Sequence, residues 1–571
     1  MNKRRIRLVV ILILAVVVGF LLLRGGGPEI EPGSTLVLTL EGQYVEAQRP
    51  PLFARLLGEP SRPFVSLLST LAVAERDDRI DTVVLVLRPV GIGWGKAGEL
   101  HAAIRRLSES GRRTIAFLDV SSFSASRLYF VATAADEIII VPGGTVPVVG
   151  LAAEYLFLGG LWEKLGITFE VGKAGRYKSA VEAISDKQMS EASREMANSL
   201  LDSTHRAFIE AIAEGRDMSV DEVMATIDKG PMQPVALEAL GLVDGSRHLD
   251  EVLDELGEKR VMGREYAQVD PSDVGFDPVA EVALIYGSGT VVPGRGTVSR
   301  SGDPVMAAET VSKAILDAAQ SPDVDAIILR IDSPGGSALA AEQIHRAIVQ
   351  ARSSNKPIVA SFSDLAASGG YYVAAAADSI VSAPGTLTGS IGVFALRPVL
   401  GGALDKLGVG RETLLRGRYA DFLSVTEPLS DATRARLQDL VLDTYSLFLE
   451  RVADGRDMTL EEVDAVAQGR VWTGRQALEV GLVDELGGLR TAVDRVREEL
   501  DLEADADVVL VPFPAPRSLG EELAEALSGR LRAIVLGRLA LPGITDHALI
   551  WLTELPPSTP LLVPPVLVDI H

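Results

Sequence analysis

The stretch VDAIILRIDSPGGSALAAEQIHRAI, residues 324–348, matches without a gap an earlier stretch of the same chain, IDTVVLVLRPVGIGWGKAGELHAAI at 80–104. Further blocks recur in the same order. SASRLYFVATAAD (124–136) corresponds to AASGGYYVAAAAD (366–378), and GRDM and GLVD each occur in both halves, at 215 and 455 and at 241 and 481. So many blocks in one order indicate that the chain contains two copies of one domain.

Short β-branched runs alternate with helical stretches in both copies. These runs cover 83–87, 115–119 and 138–141 in the first copy, and 327–331, 358–362 and 380–383 in the second. Such alternation is typical of βαβ units and parallel sheets, so we predict an α/β fold for each copy. A repeat of about 240 residues is far longer than that of a solenoid. We therefore predict two tandem homologous domains, 30–276 and 277–503, preceded by residues 1–29 and followed by a tail at 504–571.

Composition excludes several classes of function. Asp and Glu total 78 against 55 for Lys and Arg, so the net charge is −23 and a nucleic-acid partner is not expected. The chain contains no cysteine, and its six histidines form no HExxH pattern. We therefore expect neither a metal site nor a cofactor, and any catalysis must use Ser, Lys, carboxylates or backbone groups.

The N-terminus, MNKRRIRLVVILILAVVVGFLLLRGGG, combines a basic start with an apolar run from Leu8 to Leu23. This run is long enough for a helix of about 24 Å, which spans a bilayer if the flanking arginines snorkel. Basic residues before the run predict a cytoplasmic N-terminus, with all later residues outside the bacterial inner membrane. A cleaved signal peptide is the alternative, but the run exceeds a usual h-region and no A-x-A site follows. We predict an uncleaved, single-pass anchor with extracytoplasmic domains.

The tail after about residue 504 lies beyond the repeat. Apolar residues recur every four positions there and predict an amphipathic helix: Leu519, Leu523, Leu527, Leu531, Val535 and Leu539. A Pro-rich apolar segment, LPPSTPLLVPPVLV, follows. The helix either packs against a domain or partner subunit, or lies on the membrane surface.

Positions at which the two copies differ point to chemistry, since both copies keep what the fold requires. The loop DSPGGS (332–337) faces RPVGIG (88–93) in the first copy. Adjacent glycines between a strand and a helix leave backbone N–H groups uncovered, and such groups can stabilise an oxyanion. A plain tight turn is the alternative for any Gly-Gly pair.

Ser368 is the second difference, because it is followed by Gly369-Gly370, whereas Ser126 in the first copy is followed by Arg127-Leu128. A serine between a strand and a helix is often only a helix N-cap. The missing side chains after Ser368 would nevertheless give an acyl group access to its hydroxyl. We predict that Ser368 is a nucleophile and that Ser126 is only a cap.

Lys178 is the third difference, because the second copy has Ala420 at this place. A lysine taken at random is most often a solvated surface residue, but a serine nucleophile needs a base. His345 is a poor candidate, because the copy without the glycine loop keeps His101 at the matching place. A lysine can act if burial and positive neighbours, here Lys173 and Arg176, lower its pKa.

Together RIDSPGGSALAAEQI, SDLAASGGYYVAAAAD, TGSIGVF and GRYKSAVEA resemble the long form of the signal peptide peptidase A (SppA) family. This family consists of membrane-bound Ser–Lys peptidases with a ClpP/crotonase-like fold. The resemblance implies that Ser368 is the nucleophile and Lys178 the base. It also implies an oxyanion hole from Gly335 and Gly336.

The N–H of Gly369 is the natural second donor to that oxyanion hole, and Ser390 in TGSIG is a candidate for orienting the Lys amine. The implied substrates are signal peptides and similar hydrophobic peptides at the membrane. A homo-oligomer, in this family a tetramer, is also implied. The chain departs from the family pattern YKSAVEPF in having Ala183 and Ile184 in place of Pro and Phe.

Two other functions remain as alternatives at this point. A crotonase-like acyl-CoA hydrolase or hydratase would share the fold and the glycine-lined oxyanion hole, but it needs neither Ser-Gly-Gly nor a lysine present in one copy only. A non-catalytic membrane scaffold would not require the differing positions to carry catalytic residue types.

Overall fold

The computed structural model describes residues 30–46, 62–299, 303–514 and 561–562. The predicted anchor at Leu8 to Leu23 and the predicted tail helix lie outside these described residues. Within the described ranges, no helix is both long and apolar enough to cross a membrane.

The strands are numbered in chain order: β1 (Ser34–Val45), β2 (Arg62–Pro63), β3 (Ile80–Gly91), β4 (Arg113–Leu118), β5 (Glu137–Ile140), β6 (Thr168–Ala174), β7 (Gly245–Ser246), β8 (Arg260–Met262), β9 (Ala280–Ser288), β10 (Thr290–Val292), β11 (Val305–Ala307), β12 (Ala326–Ser333), β13 (Gly336–Ser337), β14 (Ile358–Ala367), β15 (Ser379–Ser382), β16 (Leu387–Gly389), β17 (Val393–Val399), β18 (Val471–Thr473), β19 (Glu485–Leu486), β20 (Val508–Phe513) and β21 (Leu561–Leu562).

The α-helices are numbered in the same way: α1 (Phe64–Arg76), α2 (Trp94–Glu109), α3 (Ser126–Ala132), α4 (Gly159–Leu165), α5 (Glu182–Ser185), α6 (Glu191–Gly215), α7 (Val220–Ile227), α8 (Pro234–Ala239), α9 (Leu249–Glu255), α10 (Gly263–Tyr266), α11 (Ala308–Gln320), α12 (Ala338–Ala351), α13 (Gly369–Ala374), α14 (Gly401–Lys406), α15 (Asp431–Arg456), α16 (Leu460–Val466), α17 (Gly474–Glu479) and α18 (Leu489–Glu499). Short 3₁₀ turns cover Pro271–Val274, Arg352–Ser354 and Ala420–Leu423.

Each half of the chain builds a mainly parallel sheet. The first has the order β2-β1-β3-β4-β5-β7, with β8 also paired to β1. The second has the order β18-β16-β14-β12-β9-β20, and β15 joins β14 to β19. The central strands β1-β3-β4-β5-β7 and β9-β12-β14-β15-β19 therefore repeat one arrangement. The predicted α/β fold is confirmed.

Burial explains why the central strands are continuous apolar runs rather than alternating ones. Residues 83–87 of β3 and 326–329 of β12 are fully buried, because helices cover both faces of each parallel sheet. Helix α2 shows the matching helical pattern: its buried residues Ala97, Leu100, Ile104 and Leu107 form one stripe against the first sheet.

A third sheet joins the two halves. Its order is β11-β10-β13-β21-β17-β6, and β6 of the first half runs antiparallel to β17 of the second, with Ala174 opposite Val393. Burial of Gly172 against α15 supports this pairing, since a Cβ there would lie 3.3 Å from Leu437 and Val441. The segment just after β6 is thus carried onto the second half.

Candidate active site

Ser368 stands between the end of β14 and the start of α13, in a backbone conformation that non-glycine residues rarely adopt, with φ 55° and ψ −113°. The surrounding backbone holds it there: the Ser368 N–H donates to Gly389 O (2.8 Å), and the Tyr372 N–H donates to Ser368 O (2.8 Å). Such strain persists only where the surroundings enforce it, and it is frequent at functional sites.

The Ser368 side chain makes no capping hydrogen bond and is fully buried. Ser368 thus occupies the N-cap position of α13, but its hydroxyl does not cap the helix. The matching Ser126 is not a cap either, because α3 begins at Ser126 and its N-cap residue is Ala125. The prediction that Ser126 caps the helix is wrong: the chain enters α3 one residue earlier.

Lys178 lies four residues after β6, and its side chain is also fully buried. Its Nζ lies 2.7 Å from Ser368 Oγ, 2.8 Å from Ser390 O and 3.0 Å from Ser390 Oγ. All three oxygens belong to uncharged groups. Two residues that are 190 positions apart in the chain are thus in direct hydrogen-bonding contact.

Ser390 also has an unusual backbone, with φ 52°, and its N–H donates to Arg470 O at 2.7 Å. This conformation turns both its carbonyl and its hydroxyl toward the Lys178 amine. The hydroxyl contact was predicted as a possibility; the carbonyl contact has no signal in the sequence, since every residue carries a carbonyl.

Burial lowers the pKa of Lys178 well below its ordinary value, because the charged form loses its hydration. We expected the positive charges of Lys173 and Arg176 to lower the pKa of Lys178 as well, and this prediction is wrong. Both side chains are largely exposed and lie against carboxylates, Lys173 near Glu182 (3.8 Å) and Arg176 near Glu195 (3.2 Å). Desolvation alone therefore favours the neutral amine.

The glycine loop lies directly against the start of α13. A Cβ added at Gly369 would be 3.0 Å from Gly336 N and 3.1 Å from Gly335 Cα. Gly369 opens α13, so its N–H has no acceptor within the helix. The Gly335 N–H instead donates to Ser333 Oγ (3.1 Å), and its positive φ of 93° makes the turn. Gly336 and Gly369 are the adjacent amides beside Ser368.

An extended strand lies beside this loop. The backbone of β21 runs antiparallel to β13, with Leu562 opposite Gly336 and Leu561 opposite Ser337. On its other side Leu561 is opposite Phe394 of β17. Two residues of the same chain thus lie in extended conformation between β13 and β17.

His345 is buried in the core, with its ring 5.6 Å from that of Tyr372 in an edge-to-face contact. Burial lowers the pKa of His345 to about 4, and also lowers the pKa of its counterpart His101 to about 4. The same environment in both copies agrees with a structural role for this histidine.

Fold and site together define an α/β protein with a buried serine hydroxyl against a desolvated lysine amine. Comparison with known proteins identifies the class. The profile of peptidase family S49 matches residues 110–262 and 350–503, one stretch in each half. The chain therefore belongs to peptidase family S49, and it is a serine peptidase.

Individual relatives agree with this assignment and with the resemblance seen in the motifs. The chain is 32% identical over 530 residues to "Serine protease SPPA, chloroplastic" of Arabidopsis thaliana, covering 91% of this chain and 76% of the relative. It is 30% identical over 497 residues to "Protease 4" of Salmonella typhi, covering 82% and 76%. It is 36% identical over 186 residues to "Putative signal peptide peptidase SppA" of Enterococcus faecium, covering 33% and 54%.

Solved structures also match part of the chain. ClpP1 from Listeria monocytogenes matches with a TM-score of 0.22 at 16% identity, over 37% of this chain and 94% of that one.

Proposed function

We propose that this chain is a membrane-anchored endopeptidase with a Ser368–Lys178 dyad, which degrades cleaved signal peptides and similar hydrophobic peptides. The observation that carries the proposal is the 2.7 Å contact between Ser368 Oγ and Lys178 Nζ in a fully buried site. Family membership makes the peptidase reading preferable to an acyl-CoA hydrolase or hydratase and to a scaffold.

In the first step Ser368 Oγ attacks the carbonyl carbon of the scissile bond while its proton moves to the neutral Lys178 amine. A neutral amine has two N–H donors and one lone pair. Hydrogen bonds to Ser390 O and Ser390 Oγ use the donors, which leaves the lone pair directed at Ser368. Ser390 is thereby assigned to orienting the base.

The tetrahedral intermediate carries its negative charge on the former carbonyl oxygen. We assign the amides of Gly336 and Gly369 to this oxyanion, with Gly335 shaping the turn that presents them. Lys178 then protonates the leaving amine, and a water molecule hydrolyses the acyl-enzyme with the same lysine as base.

We further assign the base to a first domain, 30–276, and the nucleophile to a second, 277–503, each of the ClpP/crotonase type. The repeated strand order supports this division. The strand pairing of β21 with β13 and β17 supports an extended substrate. Anchoring by Leu8–Leu23, an extracytoplasmic location and a homo-oligomer rest on the sequence and the family resemblance.

The substrate proposal is tested with two dye-labelled peptides of equal length, one a cleaved signal peptide and one a polar peptide in which Ser, Thr and Gln replace the apolar residues. We expect kcat/KM to be higher for the signal peptide by about tenfold or more, since even one methylene in an apolar subsite contributes about 1–3 kcal/mol. Equal values would contradict the substrate class but not the peptidase assignment.

The extracytoplasmic location is tested by adding protease to spheroplasts. The protease should digest the domains of this chain, and protection of the domains until lysis would contradict export.

The acylation rate is expected to rise with pH as Lys178 loses its proton, and to reach its plateau well below the pKa of about 10.4 of an ordinary lysine. A stopped-flow profile of fluorophosphonate labelling measures this. A midpoint at or above pH 10.4 would contradict the desolvated base.

The same pKa shift has a consequence for stability. The unfolded chain binds the Lys178 proton up to about pH 10.4, whereas the folded chain releases it at a lower pH. Between these two pKa values the unfolded state binds more protons, so the stability of wild type rises with pH by about 1.4 kcal/mol per unit from this group.

Lys178→Met removes that dependence, so its stability relative to wild type should be greatest at the acidic end of the window and fall toward pH 10. Urea unfolding of both proteins across the window gives the difference. A difference independent of pH would mean that the pKa of Lys178 is not lowered.

Gly469 packs beneath the base and provides a further test. It has φ 76°, and a Cβ there would lie 2.5 Å from Lys178 N and 2.6 Å from Lys178 Cβ. Gly469→Ala is therefore expected to displace Lys178 and to lower kcat about 100-fold, the usual effect of a shift of about 1 Å in a catalytic group.

Gly481→Ala is the matched control, because Gly481 has the same φ of 76° but no heavy atom within 4 Å of the added Cβ. Both substitutions place an alanine in the left-handed backbone region, which lowers the stability of each variant by about 1–2 kcal/mol. Only Gly469→Ala should lose activity per folded molecule. Equal kcat values for the two variants would refute the displacement.

A further inference from the structure

A second lysine of the first half, Lys96, is buried at the junction of the two halves, with only 2% of its surface exposed. Its Nζ donates to Asp332 Oδ2 (2.6 Å) and to Asp364 Oδ2 (2.8 Å). Both carboxylates belong to the second half, Asp332 on β12 and Asp364 on β14. One ammonium thus bridges the two strands that lead to the proposed oxyanion loop and nucleophile.

The bridge stands where the pairing of these two strands is interrupted. Ile331 pairs with Phe362, but the next pair is Ser333 with Ala366, so the single residue Asp332 faces the three residues 363–365. Such a bulge breaks the ladder and redirects the strand, so backbone hydrogen bonds no longer hold the spacing there. The Lys96 ammonium spans the gap instead.

Both strands enter the proposed active site within a few residues of the bridge. Asp332 is followed by Ser333, whose Oγ donates to Gly289 O (2.6 Å) and accepts from the Gly335 N–H (3.1 Å). Asp364 lies four residues before Ser368 on the other strand. A change in the distance between the two carboxylates would therefore pass directly to the distance between the glycine loop and Ser368.

The first turn of α2 holds Lys96 in place from the other side. The Gly93 N–H donates to Asp364 Oδ2 (2.9 Å) and the Lys96 N–H donates to Asp364 Oδ1 (2.8 Å). Gly95 allows this approach, since a Cβ there would lie 2.3 Å from Ser363 O. The N-terminal end of α2 thus packs directly against the bulge.

The repeat does not place a matching lysine in the second copy. In the sequence repeat, Ala340 occupies the place of Lys96 and Arg88 the place of Asp332. Arg88 pairs instead with Asp119 (2.8 Å) and Glu41 (3.1 Å) of its own half. The bridge is therefore built at the pair of strands that carries the proposed catalytic groups and not at its counterpart.

We propose that Lys96 is a positioning residue for the peptidase reaction, which sets the distance between the Gly335-Gly336 loop and Ser368 by bridging Asp332 and Asp364 across the bulge. The proposal rests on the proposed Ser368–Lys178 site.

Lys96 differs from Lys178 in charge. Burial by itself would lower the pKa of Lys96, but Asp332, Asp364 and Glu46 raise it above its ordinary value. Lys96 is therefore a permanent cation that holds carboxylates, and it does not act as a second base.

The test compares Lys96→Met with wild type on a fluorogenic peptide, with kcat expressed per folded molecule. We expect kcat to fall about 10- to 100-fold, as for a misplaced oxyanion donor, with KM within about twofold. The midpoint of the rate–pH profile should stay unchanged, because Lys178 keeps its own surroundings. Lys96→Arg, which keeps the cation, should retain more activity than Lys96→Met.

Glu99→Gln is the matched control. Glu99 lies one turn further along α2, is equally buried at the junction and contacts Arg330 (2.5 Å) and the Leu489 N–H (2.8 Å), but not the bulge carboxylates. Its kcat should remain within about twofold of wild type. Equal losses in both variants, or a change in KM alone, would overturn the positioning role and leave only a structural one.

If Lys96→Met does not fold, Lys96→Met/Asp332→Asn removes one charge of each sign and keeps the two backbone donors to Asp364. The same criteria then apply to kcat, KM and the pH midpoint. A folded variant with wild-type kcat overturns the proposal. If the Ser368–Lys178 site itself were wrong, Ser368→Ala would remain active. That result distinguishes failure of the proposed site from failure of the Lys96 proposal.

Discussion

Ser368→Ala and Lys178→Met are each expected to lower the kcat of peptide hydrolysis by about 10⁴-fold or more. The nucleophile and its base act as a unit, so removing either removes nearly the whole benefit of both. The double variant should therefore be little worse than either single one. Initial rates with a fluorogenic peptide measure all three, and fluorophosphonate labelling reports the reactive serine independently.

Ser126→Ala is the control for this result, because Ser126 occupies the matching place in the first half and is also buried. It should keep wild-type activity and leave fluorophosphonate labelling intact. Strong hydrolysis by Lys178→Met would refute the base, and labelling that persists in Ser368→Ala would move the nucleophile elsewhere.

Mixing full-length Ser368→Ala with full-length Lys178→Met is expected to restore no activity. Lys178 Nζ lies 2.7 Å from Ser368 Oγ of its own chain, so each chain would complete its own proposed dyad. Neither variant has both groups, and an exchange of subunits cannot supply the missing one. Activity that returns in proven mixed oligomers would mean that the dyad is shared between subunits.

A fragment of residues 277–571 tests the same point from within one chain. It retains Ser368 and the glycine loop but lacks Lys178 and also β6, which pairs along the whole of β17. We expect no hydrolysis above background from this fragment. Adding residues 30–276 should recover part of the activity once the β6–β17 pairing re-forms, and a fully active fragment would refute the cross-half mechanism.

The difference between the two copies located most of the proposed site. Lys178 and Gly336 have no counterpart of their type in the other copy, where Ala420 and Ile92 stand. Ser368 has a counterpart in Ser126, but only Ser368 is followed by two glycines, so residue identity at matched places revealed all three. Lys96 carries the same signal, since Ala340 stands at its matching place. It was not recognised, because its partners Asp332 and Asp364 come together only at the bulge.

Other features had no signal in the pattern of residues. Gly469 resembles any glycine of a turn until the chain places it against Lys178. Lys173 and Arg176 are close to Lys178 in sequence, but their side chains point to Glu182 and Glu195 instead. Nearness along the chain was therefore a poor guide to electrostatics, because the direction of a side chain depends on the packing around it.

The sequence by itself determined that the chain is duplicated, that each copy is α/β, and which serine and lysine are singled out, because these follow from local periodicity and from residue identity at matched positions. Only the tertiary structure decided that β6 crosses to β17, that burial alone lowers the pKa of Lys178, and that Lys96 bridges the two strands of the proposed active site. These features depend on contacts between distant segments and on the exclusion of water, and both arise only when the whole chain has packed.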